Sequence, residues 1–327
     1  MPEHALTLQG WAGIHNAGDQ YDIPITDRLA YLKTAINVDI DDKRMLHRRQ
    51  GRSRVYTGTP RQIWPQTDVG ITYSIILEGS SMKQLNPDFG TPITLLTGLD
   101  TVSLMDFVYV GGRVYYTNGT VIGYIKNEVA TPFPAPSSDK QFKRTLKAGT
   151  YIEYYRNRLY TAKSNVMSFS DAVRFYRMDS RYNHKQFDGE ITMMRMVNDG
   201  MYVSAGKYTY FLHGASPEKM TPVKVTESPA FHGSGVRVEA QKLLPNAKGF
   251  AVYWESKEGI FVGLSGGDVT NVTWHKWSPP IIPNRTSATV KNDRGYWHYV
   301  CAYEYPALPG FEISGRFPAW SGVVTVL

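Results

Sequence analysis

After residue 50 the chain becomes a succession of short apolar runs rich in Tyr, Val and Ile, broken by Gly, Asn, Asp and Pro. GITYSIIL (70–77), FVYVGGRVYYTNGTVIGYI (107–125) and GMYVSAGKYTYFLHG (200–214) are examples. Runs of this length and composition between turn residues predict β-strands. Asn118-Gly119 and Asp199-Gly200 favour tight reversals, because both residue types tolerate the left-handed backbone such turns need. The one helical spacing lies in DRLAYLKTAI (27–36), where Leu29, Leu32 and Ile36 fall on one face and Thr26 or Asp27 stands ready as a cap. A short helix is expected there.

The strands repeat. RVYYTNGTVIGYI (113–125) aligns without a gap on RLYTAKSNVMSFS (158–170), matching Arg113 with Arg158, Tyr115 with Tyr160 and Tyr124 with Phe169. GMYVSAGKYTYF (200–211) continues the series, with Tyr202 in the slot of Tyr160 and Phe211 in that of Phe169. Tyr73 precedes the series, and Phe261 and Trp297 extend it, at a mean step of about 45 residues. A period of that length built from strands is the mark of a β-propeller, one four-stranded blade per repeat. A single twisted blade cannot bury both of its faces, whereas blades stacked radially bury one another. The expected fold is therefore an all-β propeller of five to seven blades, six by the spacing. The expected division is an extended arm at 1–55 containing the short helix, the propeller at 56–305, and a segment at 306–327 available as a blade-closing strand.

Composition agrees with strands: 22 Tyr, 13 Phe and 7 Trp suit half-buried pleated surfaces, and 29 Gly and 19 Pro supply turns. Cys301 is the single cysteine of the 327 residues, which excludes an internal disulfide and a cysteine-rich zinc site. The opening MPEHALTLQGWAG has neither a basic nor an apolar region of the secretory kind, and no run approaches membrane-spanning length. The expectation is a chain made in a cytoplasm, with no membrane span.

AINVDIDDKRMLHRRQGRSRVYTG (35–58) carries the most specific local text, with Asn37-Val38-Asp39-Ile40-Asp41 followed by Arg48-Arg49 and Gly51. It resembles the opening of a family of bacteriophage virion proteins with a propeller fold. YRNRLYTAKSNVMSFSDA (155–172), the stretch 189–220 and AVYWESKEGIFVGLSGGDVTNVT (251–273) resemble the same family, in the same order, so the likeness covers residues 10–300 in segments. The resemblance implies a structural part of a phage tail, a nozzle, hub or tail-tip component located in the virion, without catalytic residues.

Catalytic and cofactor motifs are not indicated. The eight His residues show no i, i+3 or i+4 pair, and neither GxSxG nor GxxxxGK[ST] is present, so no metal or other cofactor is expected. GLSGGD (263–268) is glycine-rich but sits between strands, where it reads as a hairpin turn. SGGDVTNVTW (265–274) has its Asp displaced from the Asp-box pattern of sialidase propellers. A pair of carboxylates suited to glycoside hydrolysis is not indicated by any motif.

The candidate contact residues are Lys43, Arg44, Arg48, Arg49, Arg52 and Arg54, a basic run without an acid inside a chain of net charge +7. Such a run suits acidic neighbouring subunits or DNA in a tail lumen. The leading reading of the run alone is a solvated face, or pairing with Asp39, Asp41 and Asp42 just upstream. The leading expectation is a ring, six copies by preference, used in virion assembly and DNA passage, meeting adapter or portal proteins and tail fibres. A receptor-binding or fibre-anchoring propeller at the tail tip is the alternative, and a glycan-degrading propeller the third reading.

Overall fold

The computed structural model describes residues 10–14, 29–32, 38–40, 45–48, 56–66, 73–135, 141–242, 247–279, 282–283, 285–293, 296–304 and 323–326. In the arm, β1 (Gly10–Ile14) pairs in parallel with β2 (Leu29–Leu32), and β3 (Val38–Ile40) pairs antiparallel with β4 (Leu46–Arg48). Residues 29–32 are thus strand, and the helix expected over 27–36 is corrected where it is described. Leu-Ala-Tyr-Leu satisfies either periodicity over four residues, and Gly10–Ile14 offers it a lateral hydrogen-bonding partner that a lone helical turn lacks.

Among the described residues, six blade sheets and one two-stranded pair follow in chain order. The first holds β5 (Gln62–Gln66), β6 (Tyr73–Glu78), β7 (Ser81–Leu85) and β8 (Ile93–Leu96). The second holds β9 (Asp106–Val110), β10 (Arg113–Thr117), β11 (Ile122–Lys126) and β12 (Val129–Pro132). Between it and the third lie β13 (Lys143–Thr145) and, later in the chain, β17 (Arg177–Asp179), which pair with each other. The third blade itself is β14 (Tyr151–Tyr155), β15 (Arg158–Lys163), β16 (Val166–Phe169) and β18 (His184–Gln186). The fourth is β19 (Ile191–Met196), β20 (Gly200–Ala205), β21 (Tyr208–His213) and β22 (Thr221–Thr226). The fifth is β23 (Val236–Glu239), β24 (Phe250–Ser256), β25 (Gly259–Gly263) and β26 (Val269–Asn271). The last is β27 (Arg285–Asp293), β28 (Tyr296–Glu304) and β29 (Val323–Val326). Every blade is an antiparallel meander, and the first strand of one blade lies beside the first strand of the next from β9 through β27. This is a β-propeller.

The alternation along each second strand decides which neighbour a side chain meets. Tyr115, Tyr160, Tyr202 and Tyr253 point to the following blade; Tyr116, Leu159, Val203 and Trp254 point to the preceding one. Both faces of the second strand β20 are consequently buried throughout, and so are those of the third strand β25. That explains why their sequences read as unbroken apolar runs rather than as alternating ones. The wedge between the fourth and fifth blades shows the packing. Tyr202 lies 5.0 Å from Phe211 and 5.7 Å from Trp254, and Trp254 stacks 5.6 Å from Phe261 (ring centroids). Phe261 itself belongs to the third strand of its blade. Tyr253, not Phe261, repeats the role of Tyr202, because the long connection between β23 and β24 shifts the fifth repeat. Outer strands are treated differently: β22 is largely exposed and carries Pro222 and Lys224, which discourage pairing at an open sheet edge.

Close approach sets one glycine. A Cβ on Gly263 would stand 2.5 Å from Cζ of Tyr202, a ring with no room to retreat because it is fully buried. Tyr202 is also tied through its hydroxyl, which donates to the Leu264 carbonyl at 2.5 Å. Gly263→Ala is expected to cost about 1–3 kcal/mol by overpacking. The check is a urea titration, in which the midpoint falls while the slope stays that of the parent.

Candidate functional site

The first strands of the second to fifth blades are largely apolar yet each carries charge: Asp106 at the head of DFVYV, Glu153 within YIEYY, Arg195 within ITMMRM, and Arg237 with Glu239 in VRVE. The side chains of Asp106, Glu153, Arg195 and Arg237 meet. Arg195 grips Asp106 with two parallel bonds, Nη1–Oδ2 at 2.8 Å and Nη2–Oδ1 at 2.9 Å. Arg237 Nη1 donates to Glu153 Oε1 at 3.1 Å. Each pair skips a blade, from the second to the fourth and from the third to the fifth. Such reach is available only where first strands converge on the propeller axis.

The backbone completes the network. Asp106 Oδ2 accepts the amide of Ile152 at 2.9 Å, and Glu153 Oε2 accepts that of Met196 at 3.4 Å. Arg195 Nε donates to the Gly235 carbonyl at 3.1 Å and Nη1 to that of Met194 at 3.0 Å. Burial works against the Arg195 charge, but the Asp106 carboxylate outweighs it and lifts the guanidinium above its ordinary range. At the edge of this belt the Tyr151 hydroxyl lies 2.8 Å from His232 Nδ1, and His232 Nε2 lies 3.8 Å from Glu190 Oε1. Burial raises the Tyr151 phenol, so it stays protonated at any physiological pH. The two carboxylates and the Arg195 guanidinium are spent on one another, on Arg237 and on main-chain groups of β14, β19 and the residue before β23. Chemically the belt is a strut, joining the second blade to the fourth and the third to the fifth.

A second feature is a cleft of about 570 Å³ between the first two blades, walled by Tyr73 and Tyr109 with Gln84, Asn86, Lys126 and Glu128 around them. Gln84 Nε2 donates to Asn86 Oδ1 at 2.9 Å and across the blades to Glu128 Oε1 at 3.1 Å. Asn127 and Glu128 form the β11–β12 turn with left-handed backbones, φ 50° and 63°. Glutamate rarely adopts that conformation, and here its carboxylate is held by Gln84.

The basic run singled out from the sequence falls almost wholly outside the described residues, and Lys43, Arg44, Arg49, Arg52 and Arg54 all lie there. Arg48 ends β4, where its backbone stands opposite Val38. Sequence reasoning missed the axial residues, although their signal was present: a charge in a largely apolar first strand, recurring from blade to blade. Among the described residues no three His, Cys, Asp or Glu side chains gather as a metal ion would require, and no helix is long and apolar enough to cross a membrane.

No protein-family model and no curated protein matches the chain. Among solved structures it is similar to the extracellular domain of a protein described as a hybrid two-component system of Bacteroides thetaiotaomicron. That likeness has TM-score 0.50 and 10% identity, over 77% of this chain and 32% of that one. It is also similar to an auxiliary nutrient binding protein of the same organism (TM-score 0.48, 9% identity, 74% of this chain and 67% of that one). The WD40 domain of Neurospora crassa Pan2 is a further likeness (TM-score 0.46, 12% identity, 74% and 71%). The chain spans about a third of the length of the first of these. At such identities the likeness is one of fold alone.

Proposed function

We propose that this chain is a non-enzymatic structural subunit of a bacteriophage tail, a propeller that assembles as a ring at a nozzle, hub or adapter-proximal position. The observation that supports a scaffold is the axial belt. Asp106 and Glu153, the carboxylates placed where a propeller enzyme would hold its substrate, give their oxygens to arginines and backbone amides. Glycoside hydrolysis needs two carboxyl groups free to face the scissile bond, one of them as an acid. The ordered resemblance of residues 10–300 to phage propellers supplies the context. In this reading the arm at 1–55 reaches a neighbouring subunit, with Lys43 to Arg54 at that contact or toward DNA in the lumen.

A second reading, receptor binding at the tail tip, is favoured by the cleft between the first two blades. Tyrosine faces beside an amide and an oriented carboxylate suit a polyhydroxylated ring. Cryo-electron microscopy of purified virions separates the two readings. Six or twelve copies in a ring on the tail axis are the expected result. Peripheral copies in threes move the assignment to receptor binding, and absence of the chain from every particle overturns both.

A further inference from the structure

The four tyrosines that face the next blade are each followed, two residues on, by a side chain on the same face: Thr117, Ala162, Ser204 and Glu255. In the second and fourth blades this position ties the blade to the loop that enters the next one. Thr117 Oγ1 accepts the Gly149 amide at 3.0 Å, and Ser204 Oγ accepts that of Ala230 at 3.2 Å. In the fifth blade the Glu255 main chain is instead bound by Ser234, from the loop that enters its own blade: Ser234 Oγ accepts the Glu255 amide at 3.3 Å and lies 3.2 Å from its carbonyl oxygen. The Glu255 carboxyl is left to reach the last blade.

Its surroundings are unusual for a carboxylate. Glu255 is 0% exposed, as is Cys301, and Tyr303 is 1% exposed. The Tyr303 hydroxyl lies 2.7 Å from Oε1 and 2.6 Å from Oε2, and the Cys301 thiol also faces the carboxyl. The carboxyl meets one phenolic proton and one weak thiol donor in a site closed to water, which compensates a neutral acid far better than a full negative charge. The titratable groups around the carboxyl are Tyr299, Cys301 and Tyr303 from β28 and Tyr253 from its own strand. From β27 comes Thr286, which donates to the His232 carbonyl, while the His232 ring faces Tyr151 and Glu190 instead. Among the described residues no Lys, Arg or His side chain is directed at Glu255. Tyr299 is further committed, donating to the Ser234 carbonyl at 2.7 Å.

We propose that Glu255 is a proton-controlled latch on the last blade. As a neutral acid it joins β24 to β28 through Tyr303 and Cys301; once ionised it is a buried charge that no described cation faces, and β27 to β29 loosen from the fifth blade. Burial pushes the carboxyl up to about 7, against the lowering effect of its bonds from Tyr303 and Cys301. The sign follows. A carboxyl raised in the folded state contributes stability that is whole below its ordinary value near 4.5 and is lost as pH rises through about 7. The latch is closed in mild acid and released at and above neutrality. It does not rest on the tail assignment.

Hydrogen–deuterium exchange on the full chain tests this, with rates corrected for intrinsic exchange. Between pH 5.5 and 8 the opening of peptides within 285–304 is expected to increase on the order of 30-fold, the linkage value for a carboxyl moving between about 4.5 and 7. Peptides from the second and third blades are expected to change little. Glu255→Gln, neutral at every pH, is expected to abolish the increase and keep the last blade protected at pH 8. An equal pH response in the parent and in Glu255→Gln overturns the proposal. Should the variant fold poorly, infrared difference spectroscopy on the parent decides. A protonated-carboxyl band that disappears as pH rises through about 7 sustains the latch. Absence of such a band at pH 5.5 overturns it.

Discussion

Arg195→Leu is expected to destabilise the propeller by about 3–5 kcal/mol, the range for removing one partner of a buried, hydrogen-bonded ion pair. The side chains of Arg195 and Asp106 are 19% and 15% exposed, so solvent offers little compensation to the one left behind. Without the guanidinium, Asp106 retains the Ile152 amide alone among its described partners, and the carbonyls of Gly235 and Met194 each lose a donor. The loss is global because the pair joins the second blade to the fourth and the same arginine touches the fifth through Gly235. Urea unfolding should show it as a lower midpoint, with little dependence on salt because the pair lies away from mobile ions. The double variant Asp106→Leu/Arg195→Leu is expected to recover part of the loss, since replacing both charges by apolar groups removes the stranded carboxylate. A single-variant effect below about 1 kcal/mol would show that the belt is solvated and is no strut.

The same belt marks where the sequence was and was not legible. The strands, the turns and the blade period were readable because Tyr115, Tyr160 and Tyr202 each perform one job, filling the wedge before the next blade, so identical selection recurs at nearly constant spacing. Spacing failed at Phe261, where the long β23–β24 connection displaced the repeat; there Tyr253 does the work. The helix expected over 27–36 failed for a different reason. Four residues are too few to separate a 3.6-residue period from a two-residue one, and pairing with Gly10–Ile14 decided the outcome. The axial charges were legible only in part. A lone Asp or Arg inside an apolar run shows that something must compensate it, but its partner lies 89 positions away for Asp106 and Arg195, and nothing local names it. Glu255 was harder still, because its environment consists of hydroxyls and a thiol from a strand about 48 residues later.

Gly233→Ala should be the most damaging small substitution, with an expected cost of about 3 kcal/mol from overpacking and a forbidden backbone together. Gly233 has φ +82°, and a Cβ there would stand 2.1 Å from the main-chain oxygen of Thr286. That oxygen cannot step aside cheaply. Thr286 is paired with Tyr303 in the β27–β28 ladder, its amide donates to the His232 carbonyl at 3.0 Å, and the Ala288 amide donates to the Gly233 carbonyl at 3.2 Å. The loop is in effect sewn to β27, and an added methyl group must part the seam. Gly112→Ala provides the comparison, for it has φ +77° but nothing within 4 Å of the added carbon, so only the backbone term of about 1 kcal/mol should be felt. The difference between the two variants, read from urea midpoints at pH 6, measures the close approach itself. If both cost the same, the seam yields and the last blade is held by its core contacts alone. If Gly233→Ala costs far more, the entry loop fastens the last blade. The displaced loop should then also disturb the Tyr151–His232 contact at the axis, because His232 is its neighbour in the chain and shares the bonds to Thr286.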